Sequence, residues 1–415
     1  MKQTIFTALL ILFISVLHPY PIDGYKHTGI RRLVRLQKIL NGEIQDKMPV
    51  KGQLKKYDEI KLNLLNPKGD SLQNLPAVDP VLQKKISALF PNLHESYSLV
   101  VLDITPGRKA ALAEYNPDRT YQPGSIGKLA IIAGLFTELQ KIFPDDFSKR
   151  INLLKTRMVK GGKWVVRNFH TIPTYDIETG DFHKAVAKED DLFSLYEWAD
   201  HMLSVSSNAA ASVVWKEMVL MRAFGKKYPP SAGEEEKYFK DTPKQELREI
   251  TVSVVNDPLI KMGITEDEWH LGSLFTSEGK KRLPGSGGSK ASPKALIKYL
   301  VKLESGKIVD RESSLEIKRL MYMTDRRIRY AASPSLREAA VYFKSGSIYK
   351  CRPEPDYECR KYKGNEENYM NSVAIVEQPD GSVYFVALMS NVLKKNSDSD
   401  HRELATSIDK IIRRK

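Results

Sequence analysis

The chain has 415 residues, 65 lysines and arginines against 51 aspartates and glutamates, a net charge of +14, 41% hydrophobic residues and two cysteines. At about 150 residues per domain the length is worth two to three domains and a large buried core. The composition excludes a multi-span membrane protein, a collagen-like fibre and a disulfide-stapled mini-domain, and leaves enzyme, binder and surface protein open.

Lys2 precedes an apolar run over 5–17 whose only polar members are Thr7 and Ser15. A bilayer span needs about 20 such residues, so the run has the length of a secretory h-region. His18, Pro19, Pro21 and Gly24 break any helix there. A signal peptide over 1–24 is expected, with an uncleaved anchor as the alternative, and the protein is expected in the periplasm or outside the cell. No cysteine follows the run before Cys351, which excludes a lipoprotein anchor. Removing 1–24 deletes one charge of each sign, so the exported part keeps +14. Such a charge suits contact with an anionic envelope polymer, and spread-out solubility charge is the plainer alternative. No nucleic-acid motif accompanies it, and no membrane span is expected once the signal is removed.

Residues 25–78 read as a basic extension, with Ile30, Leu33, Leu36 and Leu40 at helical spacing and a linker at Pro67, Gly69 and Asp70. The main domain is expected over 79–415. A short amphipathic helix carries Val81, Leu82, Ile86, Leu89 and Phe90, and strands at 98–104 and 109–115 form a hairpin about Thr105-Pro106-Gly107. A long apolar helix begins at Ser125 after Pro123-Gly124 and runs to about Leu139. Short strands and loops are expected over 143–190, including one at 163–167, before a helix from about Asp191. The charged, turn-rich stretch 225–257 reads as a surface elaboration rather than core. Ser292-Pro293 opens a helix to Leu303, strands follow at 339–343, 372–377 and 382–389, and a helix over 400–412 closes the chain. Two strands at one end and three at the other predict one five-stranded antiparallel sheet flanked by helices, with an all-helical lobe between. The fold class is α+β in two lobes, and the cleft between them is the natural place for a site.

Cys351 and Cys359 lie eight apart in a stretch rich in proline and charge. In an oxidising compartment a loop-closing disulfide is favoured. A zinc site would need closer pairing and further ligands, and no histidine lies nearby.

Three short patterns carry chemistry. In Ser125-Ile126-Gly127-Lys128 the spacing of three puts both side chains on one helical face, about 5–6 Å apart at Cβ. A serine hydroxyl needs a base, and a lysine desolvated against an apolar helix is neutral enough to serve. The helix N-terminus adds N–H groups for an oxyanion. Ser277/Lys280, Ser347/Lys350 and Ser407/Lys410 share the spacing, but only Ser125 joins a Pro-Gly turn to a long apolar helix. Ser206-Ser207-Asn208 is the only Ser-x-Asn in the chain, able to present a hydroxyl and a carboxamide or simply to cap a helix. Lys344-Ser345-Gly346 is the only Lys-[Ser/Thr]-Gly, on a strand where a cation and a hydroxyl suit a carboxylate, and otherwise an edge lysine before a turn.

In this order, on these elements, the patterns resemble the penicillin-recognising serine enzymes, which include class A β-lactamases and D,D-peptidases (penicillin-binding proteins). The resemblance covers roughly 80–412, and Ala291-Ser292-Pro293 is similar to the Thr-Thr-Pro helix start of the class A group. It implies that Ser125 is acylated with Lys128 as base or relay, and that Ser206 passes a proton to the leaving nitrogen. Asn208 would bond the substrate's side-chain amide, and Lys344 and Ser345 would hold its carboxylate. The N–H groups of Ser125 and Ser347 would form the oxyanion hole, with Gly346 admitting the ligand to the backbone. It implies no metal or cofactor, and a β-lactam or an acyl-D-amino-acid cell-wall peptide as substrate.

One departure stands out. Between Asn208 and Pro293 the only Asn is Asn256, with Val252 four before it, so the Glu-x-x-x-Asn pattern with which class A enzymes hold the deacylating water is absent. Glu266, Glu268 and Glu278 lie in the region without that context. Slow or unusual deacylation is therefore expected. The alternatives are a D,D-carboxypeptidase and a non-catalytic envelope-binding protein on the same scaffold. A Ser-His-Asp hydrolase is the weakest reading, because the eight histidines are scattered, His201 among them, and no Gly-x-Ser-x-Gly occurs.

Overall fold

The computed structural model describes residues 23–325 and 327–414. The expected signal segment falls almost wholly outside them. Among the described residues no helix is long and apolar enough to cross a membrane.

Five strands, β1 (Ser98–Asp103), β2 (Ala111–Tyr115), β3 (Ala340–Lys350), β4 (Glu367–Glu377) and β5 (Val383–Asn391), form one antiparallel sheet in the order β2-β1-β5-β4-β3. Successive side chains point to opposite faces, so β1 sends Leu99 and Val101 to one side and Val100 and Leu102 to the other. Both faces are covered, which is why these strands read as continuous apolar runs.

Eight helices matter here: α1 (Pro80–Ser87), α2 (Lys128–Ile142), α3 (Leu195–Ser204), α4 (Asn208–Phe224), α5 (Lys244–Lys261), α6 (Pro293–Glu304), α7 (Arg311–Tyr322) and α8 (Asp398–Arg413). On one face of the sheet α1 and α8 bury Leu82, Ile86, Leu404 and Ile408. On the other lies the helical lobe built around α2. That helix is apolar all round, and it is buried on every side from Lys128 to Leu139. Gly134 lets α5 cross it closely, since a Cβ there would lie 2.4 Å from the Val254 carbonyl oxygen. Helix starts follow local chemistry: Asp79 and Ser292 accept from the N–H groups of Leu82 and Ala295, each with proline next.

Three stretches differ from the sequence reading. The strand expected at 163–167 is a 3-10 turn, Gly162–Val165, which tucks Trp164 and Val165 into the core. The stretch 225–257 divides: the helix Ala232–Asp241 only leans Tyr238 and Phe239 on the core, whereas α5 buries Leu247, Val254, Val255 and Leu259. The apolar face of α5 is diluted by charged neighbours, which hides it from a compositional reading. The 67–70 stretch is a helical turn capped by Asn66 rather than a linker, and the segment before it is no loose tail. Ile30, Leu33, Ile60 and Leu64 belong to the same core as the helical lobe.

A buried ion network fastens that segment. Lys318 on α7 is fully buried and reaches Glu304 at 2.6 Å and Glu377 at 2.7 Å, and Asn63 Nδ2 donates to Glu377 at 2.8 Å. Burial alone would raise the Glu377 carboxyl, but Lys318 and Lys55 outweigh it and hold it far below the usual carboxylate range. Removing one partner of such a cluster strands uncompensated buried charge, at a cost of about 3–5 kcal/mol. Lys318→Ala is therefore expected to lower stability by about that amount in urea unfolding, and an exposed control, Lys51→Ala, by less than about 1 kcal/mol.

Candidate active site

The sheet and the helical lobe meet along a cleft of about 650 Å³, lined by residues that include Ser125, Ser206, Asn208 and Lys344–Ser347. All three short patterns converge there.

Ser125 sits in a 3-10 turn, Gly124–Gly127, that runs directly into α2. Lys128 is the first residue of that helix and is fully buried. Its Nζ donates to Ser125 Oγ at 2.7 Å, to Asn208 Oδ1 at 2.7 Å and to the Ser206 carbonyl at 2.9 Å, and lies 3.5 Å from Ser206 Oγ. All these partners are neutral. Burial, with the charge of Lys344 as second cause, holds the Lys128 amine well below its ordinary 10.5. The same amine lies 4.5 Å from the centroid of the Phe275 ring.

Ser206 lies between α3 and α4 in the left-handed region, φ +62°, which a non-glycine residue adopts rarely and at a cost. The capping role falls to Ser207, whose Oγ accepts from Ala210 N at 3.2 Å. Ser206 and Asn208 on either side are thereby left to face the cleft. Lys344 Nζ donates to Ser206 Oγ at 2.7 Å and links the third pattern to the second. Burial, then the Arg329 guanidinium, bring Lys344 down from 10.5 to about 7.

The third pattern lies inside β3, which is longer than its apolar start suggests. Gly346 is placed where no side chain fits: a Cβ would lie 2.0 Å from the Pro123 carbonyl oxygen and 3.0 Å from Ser125 N. Ser347 N is equally close to the turn, 2.8 Å from a Cβ built on Gly124, itself at φ +55°. The strand backbone thus passes directly beside the turn that carries Ser125. Ser345 and Ser347 line the same cleft. Beyond Lys350, Cys351 and Cys359 are disulfide-bonded, and the loop returns Lys361 and Tyr362 to the cleft.

Arg329 and Phe275 escape the sequence reading. Arg329, buried in a 3-10 turn, donates to the Gly346 carbonyl at 2.8 Å and to Ser347 Oγ at 2.9 Å. Nothing in its sequence context marks it. Asn256 pins the loop that carries Phe275, exchanging bonds with Leu271 N at 2.9 Å and Leu271 O at 3.1 Å. Glu268 pairs with Lys298, and Glu278 with Lys281 at 2.8 Å; neither lines the cleft, nor does Glu266. The carboxylates that do are Asp325, paired with Lys184 at 3.2 Å, and Asp398, paired with Arg402 at 2.7 Å. His201 is fully buried in α3, away from the cleft lining.

A serine joined to a buried low-pKa lysine at a helix entrance, with a Ser-x-Asn turn and a Lys-Ser-Gly strand closing the cleft, marks the penicillin-recognising serine hydrolases. Residues 81–414 match the family model described as the Beta-lactamase enzyme family, and the chain belongs to that family. No curated protein matches its sequence. Among solved structures, a class A β-lactamase from Bacteroides cellulosilyticus DSM 14838 is 14% identical with a TM-score of 0.52, over 80% of this chain and 95% of that one. The TLA-1 extended-spectrum β-lactamase is likewise 14% identical with a TM-score of 0.52, over 80% of this chain and 97% of its own. At such identity these likenesses speak to the fold, which is β-lactamase-like.

Proposed function

We propose that the protein is an exported serine hydrolase that is acylated at Ser125 by β-lactams or acyl-D-amino-acid peptides and deacylates slowly. The observation that carries this reading is the 2.7 Å bond between Ser125 Oγ and a fully buried Lys128 whose amine is held well below 10.5. Neutral Lys128 takes the hydroxyl proton as Oγ attacks the carbonyl carbon. The Ser125 and Ser347 N–H groups stabilise the oxyanion. Collapse breaks the C–N bond, and the nitrogen receives its proton through Ser206, which bridges the two lysines. Asn208 orients the acyl side chain, and Lys344 with Ser345 holds the substrate carboxylate. Water then hydrolyses the ester.

What faces Lys128 supports slow deacylation. An aromatic ring, Phe275, packs against the amine, and both carboxylates of the cleft are engaged in ion pairs. Neither is placed against the amine to activate water. The same geometry serves a D,D-carboxypeptidase, whose substrate presents the same amide and carboxylate. The Cys351–Cys359 disulfide supports an oxidising, exported setting.

Rapid mixing with nitrocefin is expected to give a colour burst equal to the enzyme concentration, followed by turnover below the usual enzymatic range of about 1–10³ s⁻¹. Fast turnover without a burst would refute slow deacylation. Absence of both, on folded protein, would favour a non-catalytic envelope-binding role.

A further inference from the structure

A second cavity of about 700 Å³ adjoins the catalytic cleft and shares Lys184, Thr324, Asp325 and Ile328 with it. One wall is drawn from the segment 32–53, and the other from Thr324, Asp325 and the stretch 327–337 that leads to β3. The family match begins at 81, so the first wall lies outside it.

That wall is fixed in place. Arg32 forms two 2.6 Å bonds to Asp200 on α3, the helix that ends beside Ser206, and a 2.8 Å bond to the Met323 carbonyl. Gly52 N donates to the Arg337 carbonyl at 2.8 Å, and the Gly52 carbonyl accepts from Tyr322 and Arg327 at 3.0 and 2.7 Å.

The lining carries six arginines and lysines against two aspartates, Asp46 and Asp325. Arg35 is paired with Asp46 at 2.5 Å and Lys184 with Asp325 at 3.2 Å. Lys47 and Arg337, on opposite walls, are exposed and form no ion pair among the described residues. Met48 and Ile328 add apolar surface, 54% and 38% exposed. With Arg32, Arg35 and Lys184 paired, Lys47 and Arg337 are left as cations lining a cavity that adjoins the catalytic cleft, which fits a ligand with more than one carboxylate that continues from the reacting group.

Resting on the reading of Ser125 as the acylated nucleophile, we propose that this cavity is a subsite for the acidic part of a peptide substrate, remote from the bond that breaks. Lys47 and Arg337 bind its carboxylates from the two sides. They are specificity residues and take no part in the acyl transfer.

The test uses two N-acetylated peptides ending in a pair of D-alanines, one with two glutamates before the pair and one with two glutamines. Each competes with penicillin G for acylation of Ser125 in the wild-type protein and in Lys47→Glu/Arg337→Glu. The acidic peptide is expected to compete about tenfold more strongly than its amide analogue. In the double variant that preference is lost, while acylation by penicillin G alone is unchanged. Equal competition by the two peptides in the wild type would overturn the proposal. So would a preference that survives charge reversal, or one displaced only by a polyphosphate. Titration calorimetry with the same peptides reads the subsite even if Ser125 proves not to be acylated, so the two readings fail separately.

Discussion

Lys128→Ala should slow acylation by penicillin G about 10³-fold, within the range of about 10²–10⁴ that a positioned general base contributes, with the fold intact. The expectation rests on the partners of the amine. Its three bonds within 3 Å all run to neutral oxygen atoms, and among the described residues no carboxylate is bonded to it to hold it charged. Burial therefore decides its protonation, and burial favours the neutral amine. Lys128→Arg separates base from counter-charge, since a guanidinium stays protonated at any working pH. If the lysine acts as a base, arginine rescues nothing. If it acts only as a positive charge, arginine restores much of the rate. The pH profile carries a second sign. Lys344, at about 7 in the free protein, is charged below that pH and neutral above it. Acylation by a carboxylate-bearing β-lactam should thus decline as pH rises through about 7, and Lys344→Arg should move that decline to higher pH. Acylation rates measured by quenched mass spectrometry between pH 5 and 9 check both.

Gly346→Ala is expected to lower acylation at least about 10²-fold, the scale of loss from displacing reacting groups by about 1 Å. The new methyl would meet the Pro123 carbonyl at 2.0 Å and the backbone nitrogens of Ser125 and Ile126 at 3.0 Å. These are main-chain atoms, so no rotamer change relieves the clash. Either β3 moves off the turn or the turn moves off β3, and both separate the Ser125 N–H from the Ser347 N–H. Overpacking costs about 1–3 kcal/mol, so the variant folds less stably yet remains assayable. Gly233→Ala is the control, because Gly233 is exposed and nothing lies within 4 Å of a Cβ there. It should leave acylation unchanged.

The legible parts of this chain are those where local pattern and tertiary role coincide. Ser125 and Lys128 could be read because one helical turn separates them and an apolar helix follows. The Ser206 and Lys344 patterns could be read because each occurs once. Their meeting at 2.7 Å across 138 residues follows from the fold alone. Illegible were contacts made by residues with no pattern of their own. Arg329 matters only because a turn brings its guanidinium to the Gly346 carbonyl. Phe275 matters only because Asn256 holds its loop over Lys128. The absent Glu-x-x-x-Asn showed what was missing but not that a ring packs against the amine instead. Residues 25–78 misled through their charge, since the arginines that make them read as an extension also tie them down: Arg32 to Asp200 and Arg31 to Glu197.

The most direct measurement is peptide mapping after brief incubation of the intact protein with penicillin G. A single penicilloyl adduct is expected on the tryptic peptide 120–128, which contains Ser125 and ends at Lys128, and none on the same peptide from Ser125→Ala. An adduct on another serine, or folded protein that stays unmodified while a known penicillin-binding protein beside it is labelled, would contradict the assignment of Ser125 as the nucleophile.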